Sequence, residues 1–210
     1  MARKLVCGVG LNDADYPVIP MVKVDGRWKK SKDRCPFYQV WQAMLNRCYN
    51  RKYQQKNPTY VGVTVCDEWL TFSNFRNWME KQDYKGKFLD KDLLVNENKL
   101  YSCGTCIFVD RKINNFLSLP TKGNIPLGVH YEARLRAPYR AQCWDGDGKQ
   151  QKLGNFSDPM AAHKIWISAK ISIAKQYYEV YTCPQLRQGL QRVINKLEYH
   201  LENNLEVKSL

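Results

Sequence analysis

Side chains that can contact nucleic-acid bases recur at alternate positions in three short segments between residues 127 and 156. One face of these segments would present His130, Glu132, Arg134, Arg140, Gln142, Trp144, Gln150 and Lys152. Arginine, lysine and glutamine form hydrogen bonds with base edges in the major groove of a duplex. The alternative is a polar face that only meets water, but this leaves an outward Trp144 unexplained. The pattern therefore favours a nucleic-acid-binding face.

Three strands and one helix would position these side chains. The alternation predicts strands over 127–135, Tyr139–Trp144 and Gln150–Phe156. Their second face is apolar and needs a covering helix. Asp158 is a favourable N-cap and Pro159 a favourable first residue for that helix. Its apolar stripe would consist of Ala162, Ile165, Trp166, Ala169 and Ile173.

This arrangement resembles the plant ethylene-response (APETALA-type) DNA-binding domain. The resemblance rests on the motifs GVHYEARL, YRAQCW and KLGNFSDPMAAHKIW and on the glycine-rich turn at 145–148. It implies that the sheet enters the major groove and that the eight residues above face the base pairs. His130 and Glu132 stand where the plant family usually has arginine, so the resemblance does not imply the plant target sequence.

The charge of the chain favours a polyanionic partner. The 210 residues include 33 lysines and arginines against 20 aspartates and glutamates, a net charge of +13, and both halves are basic. No amphipathic basic helix or stretch of transmembrane length indicates a membrane partner. The N-terminus lacks the apolar run of a signal peptide, so we expect a cytoplasmic protein with reduced cysteines.

The segment from residue 88 to 115 resembles an HNH (ββα-metal) nuclease motif, with FLDKDLL first and YSCGTCIFVDRKINN last. In that chemistry a metal stabilises charge on the phosphate and a histidine activates water. The resemblance implies a catalytic region of Asp90, Asp92, Asn114 and Asn115, with Mg²⁺ or Mn²⁺ held by Asp90 and Asn115.

Two positions depart from the HNH pattern. Lys91 occupies the place of the general-base histidine, and Thr105 that of the asparagine that would orient it. A lysine with an ordinary pKa is protonated at neutral pH and cannot accept a proton from water. The expectation is therefore a degenerate HNH-like domain. If it is active, it would be a metal-dependent DNA endonuclease with weak cleavage.

The chain from Cys35 to Leu117 also resembles phage-encoded, homing-endonuclease-like proteins that join an HNH-like half to an APETALA-type half. The shared blocks are CPFYQVWQAMLNRCYN, VCDEWLTFSNFRNWM and LDKDLLVNENKLYSCGTCIFVDRKINNFL. This implies a mobile element and the cytoplasm of a bacterial host. The predicted class is α+β, with a basic, turn-rich segment at 1–34, an HNH-like domain at 35–120, an APETALA-type domain at 121–181 and a helix within 182–210.

Cysteines and the C-terminal helix leave further alternatives. Cys103 and Cys106 form a CxxC pair that Cys48 and Cys66 would complete as a structural zinc site. A single pair is a weak signal, and buried free cysteines are the alternative. The helix that starts at Pro184 has an apolar edge of Leu186, Leu190, Val193, Ile194, Leu197, Leu201 and Leu205. That edge would either pack within the chain or form a homodimer.

Two hypotheses of function follow. The first is a double-stranded DNA-binding protein of the homing-endonuclease type, sequence-specific through a three-stranded sheet, with cleavage weak or lost. The alternative is a catalytically inactive relative that represses transcription. The missing histidine favours the repressor, whereas Asp90, Asp92 and the paired asparagines favour an enzyme.

Overall fold

The computed structural model describes residues 5–119, 123–144 and 149–210, and these residues form the mixed α+β structure that the sequence predicts. The helices are α1 (Pro36–Tyr49), α2 (Arg51–Lys56), α3 (Phe72–Met79), α4 (Arg111–Leu117), α5 (Pro159–Val180) and α6 (Pro184–Glu202). The strands are β1 (Met21–Val24), β2 (Arg27–Lys30), β3 (Thr64–Val65), β4 (Phe88–Asp90), β5 (Leu100–Tyr101), β6 (Ile107–Val109), β7 (Val129–Tyr131), β8 (Tyr139–Trp144) and β9 (Gln150–Phe156). The glycine-rich turn predicted at 145–148 lies outside the described residues.

The described chain divides into two compact units. The first comprises residues 5–85 and 98–108, and the second comprises 86–97 together with the described residues from 109 onward. The sequence predicted a boundary near residue 120. The segments 86–97 and 109–119 group with the C-terminal half. Arg192 of α6 bonds to residues 92 and 93, and Lys170 of α5 bonds to Phe116.

The first unit has an aromatic core around α1 and α3. Trp41, Phe72 and Phe75 are fully buried, and Trp41 Nε1 donates a hydrogen bond of 2.6 Å to the carbonyl oxygen of Trp69. The bond satisfies the only polar atom of the buried indole, so the ring contributes its whole apolar surface to the core. β3 and β5 pair in parallel within the same unit.

The second unit contains a three-stranded antiparallel sheet in the order β7-β8-β9. The bounds of β8 and β9 are those predicted from alternation. Ala141 and Cys143 of β8 are buried, and α5 packs against the sheet. One apolar face covered by one helix is therefore confirmed.

The first strand of this sheet is shorter than the predicted 127–135. The backbone turns before Val129, where its N–H bonds to Pro126 O at 3.2 Å, and again at Glu132–Leu135. The N–H of Glu132 bonds to Pro138 O at 2.8 Å and closes this second turn. The prediction that Arg134 lies on a strand face is thus wrong, because Arg134 sits in an exposed turn.

Helix α5 begins as predicted and buries more of its circumference than predicted. The Asp158 side chain accepts a hydrogen bond from the N–H of Ala161, and Pro159 is the first helical residue. Ile165 is exposed, whereas His163, Ile167, Lys170, Ile171 and Ala174 are buried. The predicted single stripe is therefore too narrow, because α6 covers a second side of α5.

The apolar edge of α6 packs within the chain, which is the first of the two alternatives for this helix. Leu186, Leu190, Val193, Ile194 and Leu197 are buried. Leu205 lies beyond the end of the helix and is exposed. The homodimer stays a prediction, and its interface would have to use other residues.

His163 ties together three separated parts of the second unit. Its Nδ1 donates to the carbonyl oxygen of Leu127 at 2.7 Å, and its Nε2 accepts from the N–H of Val207 at 3.0 Å. This pair of bonds requires the neutral ring with hydrogen on Nδ1. Burial lowers the pKa of His163, because a charged ring would lose its hydration.

We expect the stability of the chain to fall on mild acidification because of His163. In the unfolded state the histidine has a pKa of about 6.5, so it takes up a proton at a higher pH than the buried ring of the folded state does. Stability is therefore complete above about pH 6.5 and decreases below it, with a slope that approaches about 1.4 kcal/mol per pH unit. Urea unfolding between pH 5 and 7.5 measures this slope.

The matched variants are His163→Gln, which should remove this part of the slope, and His200→Gln, which should keep it. His200 is only half-buried, and its Nδ1 contacts the carbonyl oxygen of Lys196 in its own helix. If His163→Gln does not fold, an NMR titration of His163 in the native chain gives the answer. An ordinary or raised pKa there would contradict the prediction.

Candidate nucleic-acid interface

Polar side chains from all three strands share one face of the β7-β8-β9 sheet. Residues opposite each other in an antiparallel ladder point to the same side. The register places His130 opposite Arg140, Arg140 opposite Asn155, Gln142 opposite Lys152, and Trp144 opposite Gln150. Of the eight residues predicted for this face, the ladder brings together His130, Arg140, Gln142, Trp144, Gln150 and Lys152.

Burial assigns this face to the side away from α5. Ala141 and Cys143 alternate with the polar residues of β8 and are buried. Trp144, in contrast, leaves 56% of its surface exposed. Full burial of a large apolar side chain is worth about 1.5–3 kcal/mol, and Trp144 forgoes part of this free energy. Tryptophan, with a large apolar ring and one polar N–H, is enriched at contact surfaces.

The Arg140 guanidinium is held across the sheet by two partners. It forms an ion pair with the Glu132 carboxylate, and its Nε donates to Asn155 Oδ1 at 3.4 Å. Glu132 follows β7 directly, so it reaches this face although it is outside the strand. An ion pair this close to solvent contributes at most about 1 kcal/mol. Its main effect is to orient the planar guanidinium.

Asn155 belongs to this face and was missed by the sequence analysis. Counting alternate residues along β9 from Gln150 and Lys152 selects Gly154 as the next member. The ladder instead shifts between Ala141 and Gln142, and Leu153 is the extra residue of a β-bulge. Gly154, with φ of +132°, was the available signal, because a glycine inside a strand often marks a bulge.

A cavity of about 800 Å³ adjoins this face, lined by Gln142, Trp144, Gln150, Trp166 and Lys170 among others. Lys170 is buried, and its Nζ donates to the carbonyl oxygen of Phe116 at 2.5 Å. Burial lowers its pKa to about 8. The ammonium also lies 4.1 Å from the centre of the Phe116 ring. These contacts identify Lys170 as a link between α4 and α5.

Asp90, the predicted first metal ligand, organises its own loop. Its Oδ1 accepts hydrogen bonds from the N–H groups of Asp92 at 3.0 Å and Leu93 at 2.8 Å. Burial raises the pKa of Asp90, an effect that the two N–H groups oppose. One carboxylate oxygen is therefore used for backbone capping.

Two cationic side chains bind oxygen atoms of the same loop. Lys91 is buried, and its Nζ lies 2.5 Å from Asp92 Oδ1. Arg192 of α6 donates to the carbonyl oxygens of Asp92, at 2.9 Å, and Leu93, at 3.1 Å. An ammonium bound to a carboxylate is a hydrogen-bond donor and cannot activate water as a base.

The predicted asparagines lie on α4. The helix is capped by the Asp110 side chain, which accepts from the N–H of Ile113 and from the Tyr181 hydroxyl. Asn114 is half-buried, whereas Asn115 is exposed and lines the cavity beside Trp144 and Lys170. Asn115 thus lines the same cavity as residues of the sheet and of α5.

The predicted metal ligands were a carboxylate with an amide, and four cysteines. Across residues 5–119, 123–144 and 149–210, no three histidine, cysteine, aspartate or glutamate side chains form a group that could hold one. Cys48 and Cys106 are buried, Cys66 is half-buried and Cys103 is exposed. Mg²⁺ or Mn²⁺ at Asp90 and Asn115, and zinc at the four cysteines, stay predictions.

Comparisons of the chain with models of protein families, with curated proteins and with solved structures found no significant match. Within the described segments, no helix has both the length and the apolar composition that crossing a bilayer requires.

We expect Asp90→Ala to destabilise the chain by about 1–2 kcal/mol, because two loop N–H groups lose their acceptor. Asp90→Asn keeps an oxygen at this position and should cost less. Urea unfolding of the full chain measures both. Glu179→Ala, which removes an exposed carboxylate at the end of α5, is the control and should be neutral. An unchanged Asp90→Ala protein would contradict the capping role.

Proposed function

We propose that this chain is a double-stranded DNA-binding protein of the homing-endonuclease type that recognises sequence through the outer face of the β7-β8-β9 sheet. The observation that supports this most is the row of Arg140, Gln142 and Trp144 on β8, opposite the side covered by α5. Lys152 and Gln150 of β9 extend the row to the neighbouring strand.

The dimensions of the sheet suit a major groove. Neighbouring strands lie about 4.8 Å apart, so the outer strands of three are about 10 Å apart. The major groove of B-DNA is about 12 Å wide. The net charge of +13 favours approach to the phosphates, which would orient the sheet without selecting a sequence.

The chemistry of the row suits direct contact with bases. An arginine pairs with guanine through two hydrogen bonds, and a glutamine pairs with adenine in the same way. In the free protein Arg140 is bound to Glu132 and Asn155. Redirecting the guanidinium to a base would give up this partly exposed pair, and surface pairs contribute about 1 kcal/mol or less.

We further propose that cleavage is weak or lost, and the alternative function is that of a DNA-binding transcriptional repressor. The observation that favours a non-cutting protein is the Asp90–Leu93 loop. Asp90 caps two N–H groups, and Lys91, at the place of the general base, is paired with Asp92.

Arg140→Ala should weaken binding to a duplex selected from a random library by about 1–3 kcal/mol, or about 5- to 150-fold. It should also relax the preference at one base position, because a bidentate contact is lost. Fluorescence anisotropy with the selected duplex and its single-base variants measures both effects. Arg134→Ala removes the same charge from the exposed turn and should leave base preference unchanged. Full affinity and preference in Arg140→Ala would contradict sheet docking.

In a cleavage assay we expect the chain to shift its flanking genomic DNA and leave it largely intact with Mg²⁺ or Mn²⁺. Loss of a general base removes about 10² to 10⁴ in rate. Asp90→Asn is the informative variant, because Asp90→Ala also loosens the loop. Efficient cutting that Asp90→Asn abolishes would restore the enzyme, and efficient cutting that survives it would place the active site elsewhere. Tight binding without cutting, with reduced transcription from a nearby promoter, would support the repressor.

A further inference from the structure

The β1-β2 hairpin is exposed along its whole length. Every residue of Met21–Val24 and Arg27–Lys30 is exposed to solvent. The turn consists of Asp25 and Gly26, with φ of 51° and 75°. Positive φ at both central residues is the signature of the tight two-residue turn that matches the twist of a hairpin. The sequence predicts a basic, turn-rich segment here but not its two strands.

Both faces of the hairpin combine cations with apolar side chains. One face has Met21, Lys23, Trp28 and Lys30, and the other has Val22, Val24, Arg27 and Lys29. Asp25, the acidic residue of the segment, lies at the turn 3.9 Å from Lys29. Four cations against one carboxylate give residues 21–30 a net charge of +3.

The base of the hairpin is anchored to the first unit, but the first unit does not cover the two strands. The N–H of Ser31 bonds to Pro20 O at 2.7 Å, and the N–H of Cys35 bonds to Val18 O at 3.0 Å, with Val18 and Ser31 buried. Trp28 nevertheless leaves 67% of its surface in water. Lysines on exposed strands prevent edge-to-edge aggregation, but an exposed tryptophan has the opposite effect. Protection of an edge therefore does not explain this composition.

We propose that the β1-β2 hairpin is a second DNA-contacting element, which binds the phosphate backbone of a duplex through Lys23, Arg27, Lys29 and Lys30 and packs Trp28 against the groove wall. This inference rests on the proposed DNA-binding function and assigns part of the affinity to a surface outside the three-stranded sheet. The contacts would add affinity without base preference.

The spacing of the hairpin supports a duplex as the partner. Alternate residues on one strand face are about 6.8 Å apart, which is twice the axial spacing of about 3.4 Å between phosphates of one DNA strand. Arg27 and Lys29 share a face at this separation. A two-stranded ribbon also fits the width of a major groove.

The test compares two full-length variants that each lose four exposed cations of the first unit. The hairpin variant is Lys23→Gln, Arg27→Gln, Lys29→Gln and Lys30→Gln combined. The control combines Arg51→Gln, Lys52→Gln and Lys56→Gln on α2 with Lys85→Gln, all exposed. Because the changed side chains are exposed, both should keep the wild-type melting temperature. The probe is a 30-base-pair duplex of mixed sequence, titrated from low to high KCl.

We expect the hairpin variant to bind more than tenfold more weakly at about 0.1 M salt. The slope of log affinity against log salt should flatten by up to about 3.6, since each phosphate contact contributes about 0.9. Trp28→Ala should weaken binding severalfold without changing the slope, because no charge is lost. Preference among single-base variants of the selected duplex should be unchanged in both proteins.

The outcomes separate this inference from the proposed function. If the wild-type chain binds no duplex DNA, both fail. If wild type binds and Arg140→Ala loses base preference, but the hairpin variant keeps the wild-type affinity and slope, only the hairpin inference fails. Equal losses in the hairpin variant and the α2 control would mean a general charge effect and would also overturn it. The inference would also be overturned if the hairpin variant kept its duplex binding but lost binding to vesicles of anionic lipid. Such a lipid surface is the alternative partner for exposed cations beside Trp28.

Discussion

The burial of α5 on two sides is the constraint on which the second unit depends. The sheet covers one side of this helix and α6 covers another, so polar residues of the helix must find partners inside the protein. His163 bonds to Leu127 and Val207, and Lys170 bonds to Phe116. These bonds connect α5 to the chain before the sheet, to α4 and to the C-terminal segment. The exposed face of the sheet is thus supported from behind by a helix whose buried His163 and Lys170 side chains are hydrogen-bonded.

The elements predicted well from sequence are those that have one buried face and one face in water. β8 alternates polar and buried residues, and β9 ends just before the capped start of α5, so their bounds follow from local pattern. The width of the buried face of α5 could not be predicted, because it depends on α6, which comes later in the chain. The β1-β2 strands were missed because a hairpin exposed on both faces shows no alternation of buried and exposed residues.

The candidate site likewise contains residues whose positions the sequence predicts and residues whose positions it does not. Alternation identified the polar residues of β8 but placed Arg134 on the sheet face, because the pattern of residue types gives no sign of the bond from the Glu132 N–H to Pro138 O that closes the turn. In the Asp90–Leu93 region, residue types suggested metal ligands, whereas the structure assigns one oxygen of Asp90 to two backbone N–H groups. The capping role cannot be read from residue type, because it depends on the positions of the neighbouring N–H groups.

The β-bulge at Leu153 bears on how such a surface can change during evolution. Leu153 is the extra residue of the bulge. If Leu153 were absent, the pairs on either side of it, Gln142 with Lys152 and Ala141 with Gly154, would follow each other in a regular ladder. Losing one residue here preserves which side chains face outward, whereas losing one elsewhere in β9 exchanges the faces. The bulge also increases the local twist. A one-residue length change at this position can therefore adjust the curvature of the sheet, and with it the spacing of its outward side chains, while the set of outward-facing residues is inherited intact.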